Sequence, residues 1–430
     1  MSAGGPSMMD GWVPLVVQLV TVLALVCAIG WRTRRWRVLW LPLSVALAAA
    51  ATLAVSLAMR YTGIAGEPAP QQLWLWTSLT GLAVGVLVFG WRGSRPWRRN
   101  ASVFAASFCL LSTGLVINGW IGYFPTVGTA WNQLTGRPLP SETDLATVVA
   151  MRSRGERPPA GRMVEIDVGD AASGFRHRRE WVYLPQAWFT GAADAPLPAV
   201  MMIGGEFHTP ADWVRAGRAV TTADSYAAAH DGYAPVLVFV DASGGFTIDT
   251  ECVNGVRGNA ADHLTKDVVP FVASTFDVRP DGWGVAGFSS GGTCALDLAV
   301  MHPDLFGSFV DIAGDERPNA GSEDQTVDRL FGGDREAWSA FDPATVIQRH
   351  GPYSGLSGLF VVPDGAAGPD GGAAAADKLC GLGASKGIAC TVRSRPGRHD
   401  WPFASAAFAD AFAWLAGQLS AQEGRRPTTQ

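Results

Sequence analysis

Charged side chains are scarce in this sequence, at 17% of 430 residues, and four long stretches lack them altogether. The formal net charge of −5 offers no basic surface for nucleic acid. No C-x-x-C pair and no His/Cys spacing suggests zinc, so neither a metal nor another cofactor is expected. No basic segment precedes the first apolar run and no A-x-A site cleanly follows it, which argues against a cleaved signal peptide.

The uncharged stretches are Trp12 to Trp31, Val38 to Met59, Leu73 to Trp91 and Ser102 to Phe124. Each approaches the ~20 residues with which a helix crosses a ~30 Å hydrocarbon core, so four transmembrane spans are expected. Arg32, Arg34, Arg35 and Arg37 separate the first two, and Arg92, Arg95, Arg98 and Arg99 separate the last two. The N-terminal segment has no Lys or Arg, and the middle loop has only Arg60 at its edge. The positive-inside rule then puts both Arg-rich loops in the cytoplasm and both ends of the region outside. Tryptophans such as Trp12, Trp31, Trp74 and Trp120 gather towards the span ends, as interfacial anchors do. With no ionisable residue inside a span to mark an ion or proton path, the region reads as an anchor. Asn118 is the polar residue expected to bridge helices.

Residues 1–124 thus form an all-α membrane region, 125–161 a connector, 162–420 a globular domain and 421–430 a disordered tail. The connector holds a short helix from Ser141 to Met151, ended by Pro158-Pro159-Ala160-Gly161. Beyond it, strands alternate with helices. Strands are expected at Met163–Val168, Glu180–Leu184, Ala199–Ile203, Pro235–Val240, Gly284–Ala286, Phe309–Ile312, Gly358–Val362 and Ala389–Arg393. Helices are expected at Ala211–Ala229, Asp262–Thr275, Ser290–His302, Ala373–Ser385 and Pro402–Leu419. That alternation implies an α/β fold with a mostly parallel sheet, whose ligands bind outside the strands' carboxyl ends.

At one such end stands Gly287-Phe288-Ser289-Ser290-Gly291, a G-x-S-x-G match between a strand and a helix. A strained turn there lifts a serine hydroxyl above the sheet. In the chain order of an α/β-hydrolase the base comes last, and His399 lies between the final strand and the final helix. His208, near a Gly-rich turn, is a candidate for substrate contact rather than catalysis. The acid falls after the penultimate strand, where spacing leaves Asp364 and Asp370 both open, with Asp315 third. Oxyanion donors are the backbone N–H groups of Ser290 and of Glu206, the latter in the turn Ile203-Gly204-Gly205-Glu206-Phe207. Cys27 and Cys109 lie in spans. Of the other four cysteines, Cys252–Cys294 would pin a loop to the serine helix and Cys380–Cys390 would tie a helix end to the next strand.

The chain resembles the putative-esterase (esterase D-like) branch of α/β-hydrolases, which includes the antigen 85 mycolyltransferases, and its four spans look like those of actinobacterial membrane-anchored members. The resemblance covers roughly residues 197–419. It rests on Gly287-Phe288-Ser289-Ser290-Gly291-Gly292, on Arg398-His399-Asp400-Trp401, and on Asp249-Thr250-Glu251-Cys252-Val253-Asn254 ahead of Asp267-Val268-Val269-Pro270. It implies a Ser-His-acid triad, with the family's glutamate offset landing on Asp370 rather than Asp364. No lipid-tunnel signature carries over. The expectation is a membrane-anchored extracytoplasmic serine esterase or acyltransferase acting on ester or lipid substrates. A non-catalytic envelope-binding module on the same fold is the alternative. No protein partner is indicated.

Overall fold

The computed structural model describes residues 5–30, 32–62, 69–92, 94–191, 196–245, 248–364 and 372–423. It divides into two compact units, Met1–Arg137 and Pro138–Gln430, so the expected connector is shared between them.

In the first unit, four helices are long and apolar enough to cross a membrane. They are α1 (Trp12–Ile29), α2 (Leu41–Thr62, entered through a π-helical turn at Trp36–Trp40), α3 (Gln71–Gly90) and α4 (Pro96–Ile121). Helix α1 packs on α4, α4 on α3 and α3 on α2. Where apolar solvent gives helices no reason to associate, close packing and hydroxyl bonds must do so. Both occur. A Cβ on Gly81 would lie 2.8 Å from the Ala48 Cα, and one on Gly85 would lie 2.7 Å from the Ser44 Cα, so two glycines four apart bring α3 against α2. Hydroxyl pairs join Thr52 to Ser78 (2.8 Å), Thr80 to Thr113 (2.9 Å) and Thr21 to Ser112 (3.1 Å). Asn118 does not bridge helices as expected. Its side chain donates to the Phe124 carbonyl at 3.0 Å and accepts from the Phe124 N–H at 2.6 Å, closing the turn where Gly122 leaves α4 at φ 74°.

The second unit is built on a nine-stranded sheet. Its strands are β1 (Glu142–Thr143), β2 (Arg162–Ile166), β3 (Glu180–Leu184), β4 (Ala199–Ile203), β5 (Val236–Val240), β6 (Trp283–Phe288), β7 (Phe306–Ile312), β8 (Ser357–Pro363) and β9 (Ala389–Arg395). The order across the sheet is β1-β2-β3-β5-β4-β6-β7-β8-β9. Strand β3 runs antiparallel to both neighbours and every other pairing is parallel. Central strands covered on both faces must be apolar throughout, as Ala-Val-Met-Met-Ile in β4 and Val-Leu-Val-Phe-Val in β5 are. Met201 and Ile203 join one core with Leu298 of the helix after β6, and Val200 and Met202 join the other with Trp213, Trp401 and Phe408. This is the α/β-hydrolase fold expected from the strand–helix order.

Three departures have local causes. The helix expected over 211–229 breaks into Asp212–Arg215 and Ala219–Ala228, with Arg218 at φ 54°. At Gly217 a Cβ would press on Trp213 and on Trp401, whose rings meet edge to face at 5.2 Å. The helix expected over 141–151 starts at Leu145, because Asp144 caps it by accepting the Thr147 N–H (2.8 Å) while Glu142 and Thr143 join the sheet beside β2. Between β7 and β8 the chain forms helices at Glu323–Phe331, Arg335–Ser339 and Pro343–His350 that were not anticipated. Their start signals were present: a capping box of Ser322 with Gln325, and Asp342 before Pro343. The last helix runs from Trp401 to Glu423, and the rest of the expected tail, 424–430, lies outside the described residues.

Both expected disulfides are present, Cys252–Cys294 and Cys380–Cys390. Loop closure over 42 residues should contribute about 4 kcal/mol and over 10 residues about 3 kcal/mol in the chain-entropy account. Thermal melts of Cys252→Ala/Cys294→Ala and Cys380→Ala/Cys390→Ala are therefore expected to show both pairs destabilised and the first more so. The reverse order would reject loop closure as the dominant contribution.

Candidate active site

Ser289 stands between β6 and the serine helix (Ser290–Met301) with φ 60° and ψ −130°, a region costly for any residue with a Cβ. The turn is possible because its neighbours have none. A Cβ on Gly287 would run into the Gly291 carbonyl, and one on Gly291 would meet the Gly204 oxygen at 2.6 Å and the Ile203 carbonyl closer still. The Ser289 N–H donates to the Ile312 carbonyl at 2.9 Å, and its own carbonyl accepts from the N–H groups of Gly292 (2.7 Å) and Thr293 (3.2 Å). The serine therefore sits, half-buried, at the helix N-terminus where the first N–H groups lack intrahelical acceptors.

The turn after β4 lies directly against it. A Cβ on Gly205 would come within 2.8 Å of the Ser289 Cβ. Gly205 opens a tight turn in which His208 N–H donates to the Gly205 carbonyl (3.1 Å) and Phe207 takes φ 63°. Glu206, the expected oxyanion donor, is the first central residue of that turn. His208 is buried and receives the Gly205 N–H on Nδ1 at 3.1 Å. Burial, then the nearby charges of His399 and Arg178, push its pKa down to about 3, so the ring is neutral.

His399 occupies the loop between β9 and the last helix, with its ring 4.9 Å from that of Phe288, the residue before the serine. Its neighbour Asp400 is buried and holds the loop by accepting the Phe403 N–H at 3.0 Å. Asp364 is exposed at the tip of β8, where its N–H donates to the Arg395 carbonyl at 2.8 Å. Asp370 lies outside the described residues. Asp315 follows β7 and lies against the serine helix, where its N–H donates to Thr293 Oγ1 at 2.8 Å.

A buried polar network supports the turn and was not anticipated. Asp241, at the end of β5, accepts the Arg178 N–H (2.6 Å) and its guanidinium Nη2 (2.6 Å), while the same Nη2 donates to the His208 carbonyl at 2.8 Å. Burial works to raise the Asp241 pKa, but the Arg178 bonds outweigh it and hold the carboxyl below its usual range. Beside it, His177, Glu180 and His263 bring ligand atoms within 4.8 Å of one another. They do not suit a metal. Both His177 nitrogens lie 2.8 Å from carbonyl oxygens, of Arg178 and Val168, which can only accept. The ring must donate from both and is an imidazolium facing the Glu180 carboxylate at 3.8 Å. Burial lowers its pKa, but Glu180 and the two carbonyls more than offset this, and the net shift is upward.

A model of the family described as putative esterase matches residues 176–415. An uncharacterized protein of Corynebacterium glutamicum is 30% identical over 362 residues, covering 81% of this chain and 82% of that one. The MPT51 antigen of Mycobacterium leprae is 28% identical over 142 residues, which is 30% of this chain and 44% of the antigen. Among solved structures, an S-formylglutathione hydrolase from Agrobacterium tumefaciens superposes with a TM-score of 0.50 at 17% identity, covering 61% of this chain and 97% of that one. At that identity the likeness is one of fold.

The raised pKa of His177 has a pH consequence. Its contribution to stability is complete below the ordinary histidine value of about 6.5 and is lost as pH rises through the raised folded value. His177→Gln should lower the melting temperature at pH 6 and flatten its decline towards alkaline pH. A melting profile parallel to that of the wild type would show that the ring is neutral throughout.

Proposed function

As this chain belongs to the putative-esterase family, whose chemistry is carboxylic-ester hydrolysis, we propose that it is a membrane-anchored, extracytoplasmic serine esterase or acyltransferase acting on ester substrates of the cell envelope, lipids or glycolipids among them. The observation that carries this reading is the backbone of Ser289. A non-glycine residue at φ 60° and ψ −130° between a strand and a helix is costly, and strain of that kind clusters where a reacting group is presented.

In the proposed mechanism His399 takes the proton of Ser289 Oγ as that oxygen attacks the ester carbonyl. The tetrahedral oxyanion is held by the N–H groups of Ser290 and Glu206. Collapse expels the alcohol, which receives the proton from His399, and leaves an acyl-serine. Water, or a sugar or glycerol hydroxyl, then gives its proton to His399 and attacks the acyl carbon, releasing acid or new ester and restoring Ser289. A carboxylate, assigned here to Asp370 with Asp364 as the alternative, orients the imidazole. The outward placement rests on the arginine-rich loops and on two disulfides, which persist in oxidising compartments.

A fluorophosphonate probe should label the wild-type chain and not Ser289→Ala or His399→Ala, with kcat on a short-chain ester falling roughly 10⁴- to 10⁶-fold in each. Asp370→Ala should lose roughly 10⁴-fold while Asp364→Ala stays close to wild type; the opposite pattern would move the acid to Asp364. A folded wild-type chain without Ser289-dependent labelling would leave the non-catalytic binding module as the surviving reading.

A further inference from the structure

We propose that His208 is a positioning residue for the oxyanion turn, clamping Gly205 so that the Gly205–Glu206 peptide is held in place to receive the oxyanion. The inference deepens the serine-esterase reading and rests on it. It is carried by two bonds that meet on one residue. The Gly205 N–H donates to His208 Nδ1 at 3.1 Å, and the Gly205 carbonyl accepts the His208 N–H at 3.1 Å. A trans peptide is planar, with its C=O and the next N–H pointing in opposite directions. Fixing the Gly205 oxygen therefore fixes the direction of the Glu206 N–H. The bond from Gly205 N–H to Nδ1 fixes the peptide on the other side and keeps that amide from competing for the oxyanion.

The clamp sits on the nucleophile, since Gly205 has room for no Cβ beside the Ser289 Cβ. It is itself held from three sides. The His208 carbonyl accepts Arg178 Nη2 at 2.8 Å, and Arg178 is locked to the buried Asp241. The imidazole stacks on Phe288 at 5.9 Å and lies against Trp401 at 4.9 Å. Those two rings belong to the residue before the nucleophile and to the first residue of the helix that follows His399. An acceptor at Nδ1 requires that nitrogen to be unprotonated, which places the proton of the neutral ring on Nε2. Burial keeps it so across the range in which an esterase works. Asparagine is the substitution that can offer a carbonyl oxygen near the position of Nδ1, whereas leucine fills similar space without an acceptor.

The test is steady-state hydrolysis of p-nitrophenyl butyrate by the full-length chain in detergent. His208→Leu is expected to lower kcat about 100-fold, the effect of losing one oxyanion donor, with KM within about twofold of wild type. His208→Asn should recover at least about tenfold of that loss at an unchanged melting temperature. A role in packing alone would instead lower the melting temperature of both variants and leave kcat per folded molecule unmoved. Should His208→Leu fail to fold, histidine-selective ¹⁵N NMR of the wild type decides: the His208 ring must show an unprotonated Nδ1 and no titration between pH 5 and 8. A kcat for folded His208→Leu within about threefold of wild type, no rescue by Asn, or a protonated Nδ1 would each overturn the proposal. If the wild type lacks Ser289-dependent turnover, both this inference and the esterase reading fall. If the wild type is active and His208→Leu matches it, only the clamp falls.

Discussion

The site depends on a close approach of main chain to main chain at the carboxyl ends of β4 and β6. The parallel register pairs Ile203 with Gly287, so the two strands end level. Beyond that point Gly291 faces the carbonyls of Ile203 and Gly204, Gly205 faces Ser289, and Gly287 faces Gly291. Three missing Cβ atoms around one serine are a single steric requirement met in three places. An oxyanion donor works only at about 2.7–3.1 Å from the developing charge, and any side chain in this junction would move the β4 turn off that distance. The strained φ of Ser289, costing of order 1–3 kcal/mol, is retained because strand β6 before it and the helix after it are buried almost throughout.

Polar groups are concentrated at the same end of the sheet. Asp241 follows β5, His208 follows β4, and Glu251 and Cys252 lie in the loop that the disulfide to Cys294 fastens to the serine helix. Glu251 is pushed well up from the ordinary carboxyl range by burial, then by Asp249 and Asp315. A buried charge is costly unless every partner is in place, so such groups gain little in stability over well-packed apolar ones. What they contribute is direction. Arg178 bonds to Asp241 and to the His208 carbonyl, and His208 bonds twice to Gly205, so a chain of fixed orientations runs from a buried carboxylate to the turn beside Ser289.

How much of this was legible in the residues depended on the range of the interaction that decided each feature. Strands β3 and β4 were read to their observed ends because short runs rich in apolar and aromatic residues, Trp181–Leu184 in one and Ala199–Ile203 in the other, are a local signal. The serine turn between β6 and its helix was legible for the same reason, and so was the place of His399 between β9 and the last helix. The break at Gly217 was not, because it is set by the meeting of Trp213 with Trp401, nearly 190 positions apart. Asn118 has helix-bridging chemistry, but the turn that its side chain closes is specified by Gly122. His208 was noticed as a neighbour of the Gly-rich turn. Its bond to Gly205 spans only three residues, yet its meaning depends on the serine that β6 brings alongside. His263 stands 83 positions from Glu180, and Asp241 stands 63 from Arg178, and contacts of that range left no pattern in the sequence.

The least constrained member of the proposed triad is the acid, and strand parity bears on it. In β8, Phe360 and Val362 point into the core on the serine-helix side, whereas Leu359 and Val361 point into the core that contains Trp401 and Phe403. The ladder continues one residue past Pro363, since the Asp364 N–H donates to the Arg395 carbonyl. Alternation then assigns Asp364 to the serine-helix side. His399 approaches from the other side, two residues before Trp401 and with its ring against Phe288, itself part of the Trp401 core. A carboxylate that orients His399 has to reach that side, which the parity of β8 does not favour for Asp364. This parity, like the offset that the family resemblance implies, supports the proposed assignment of the acid to Asp370 over Asp364.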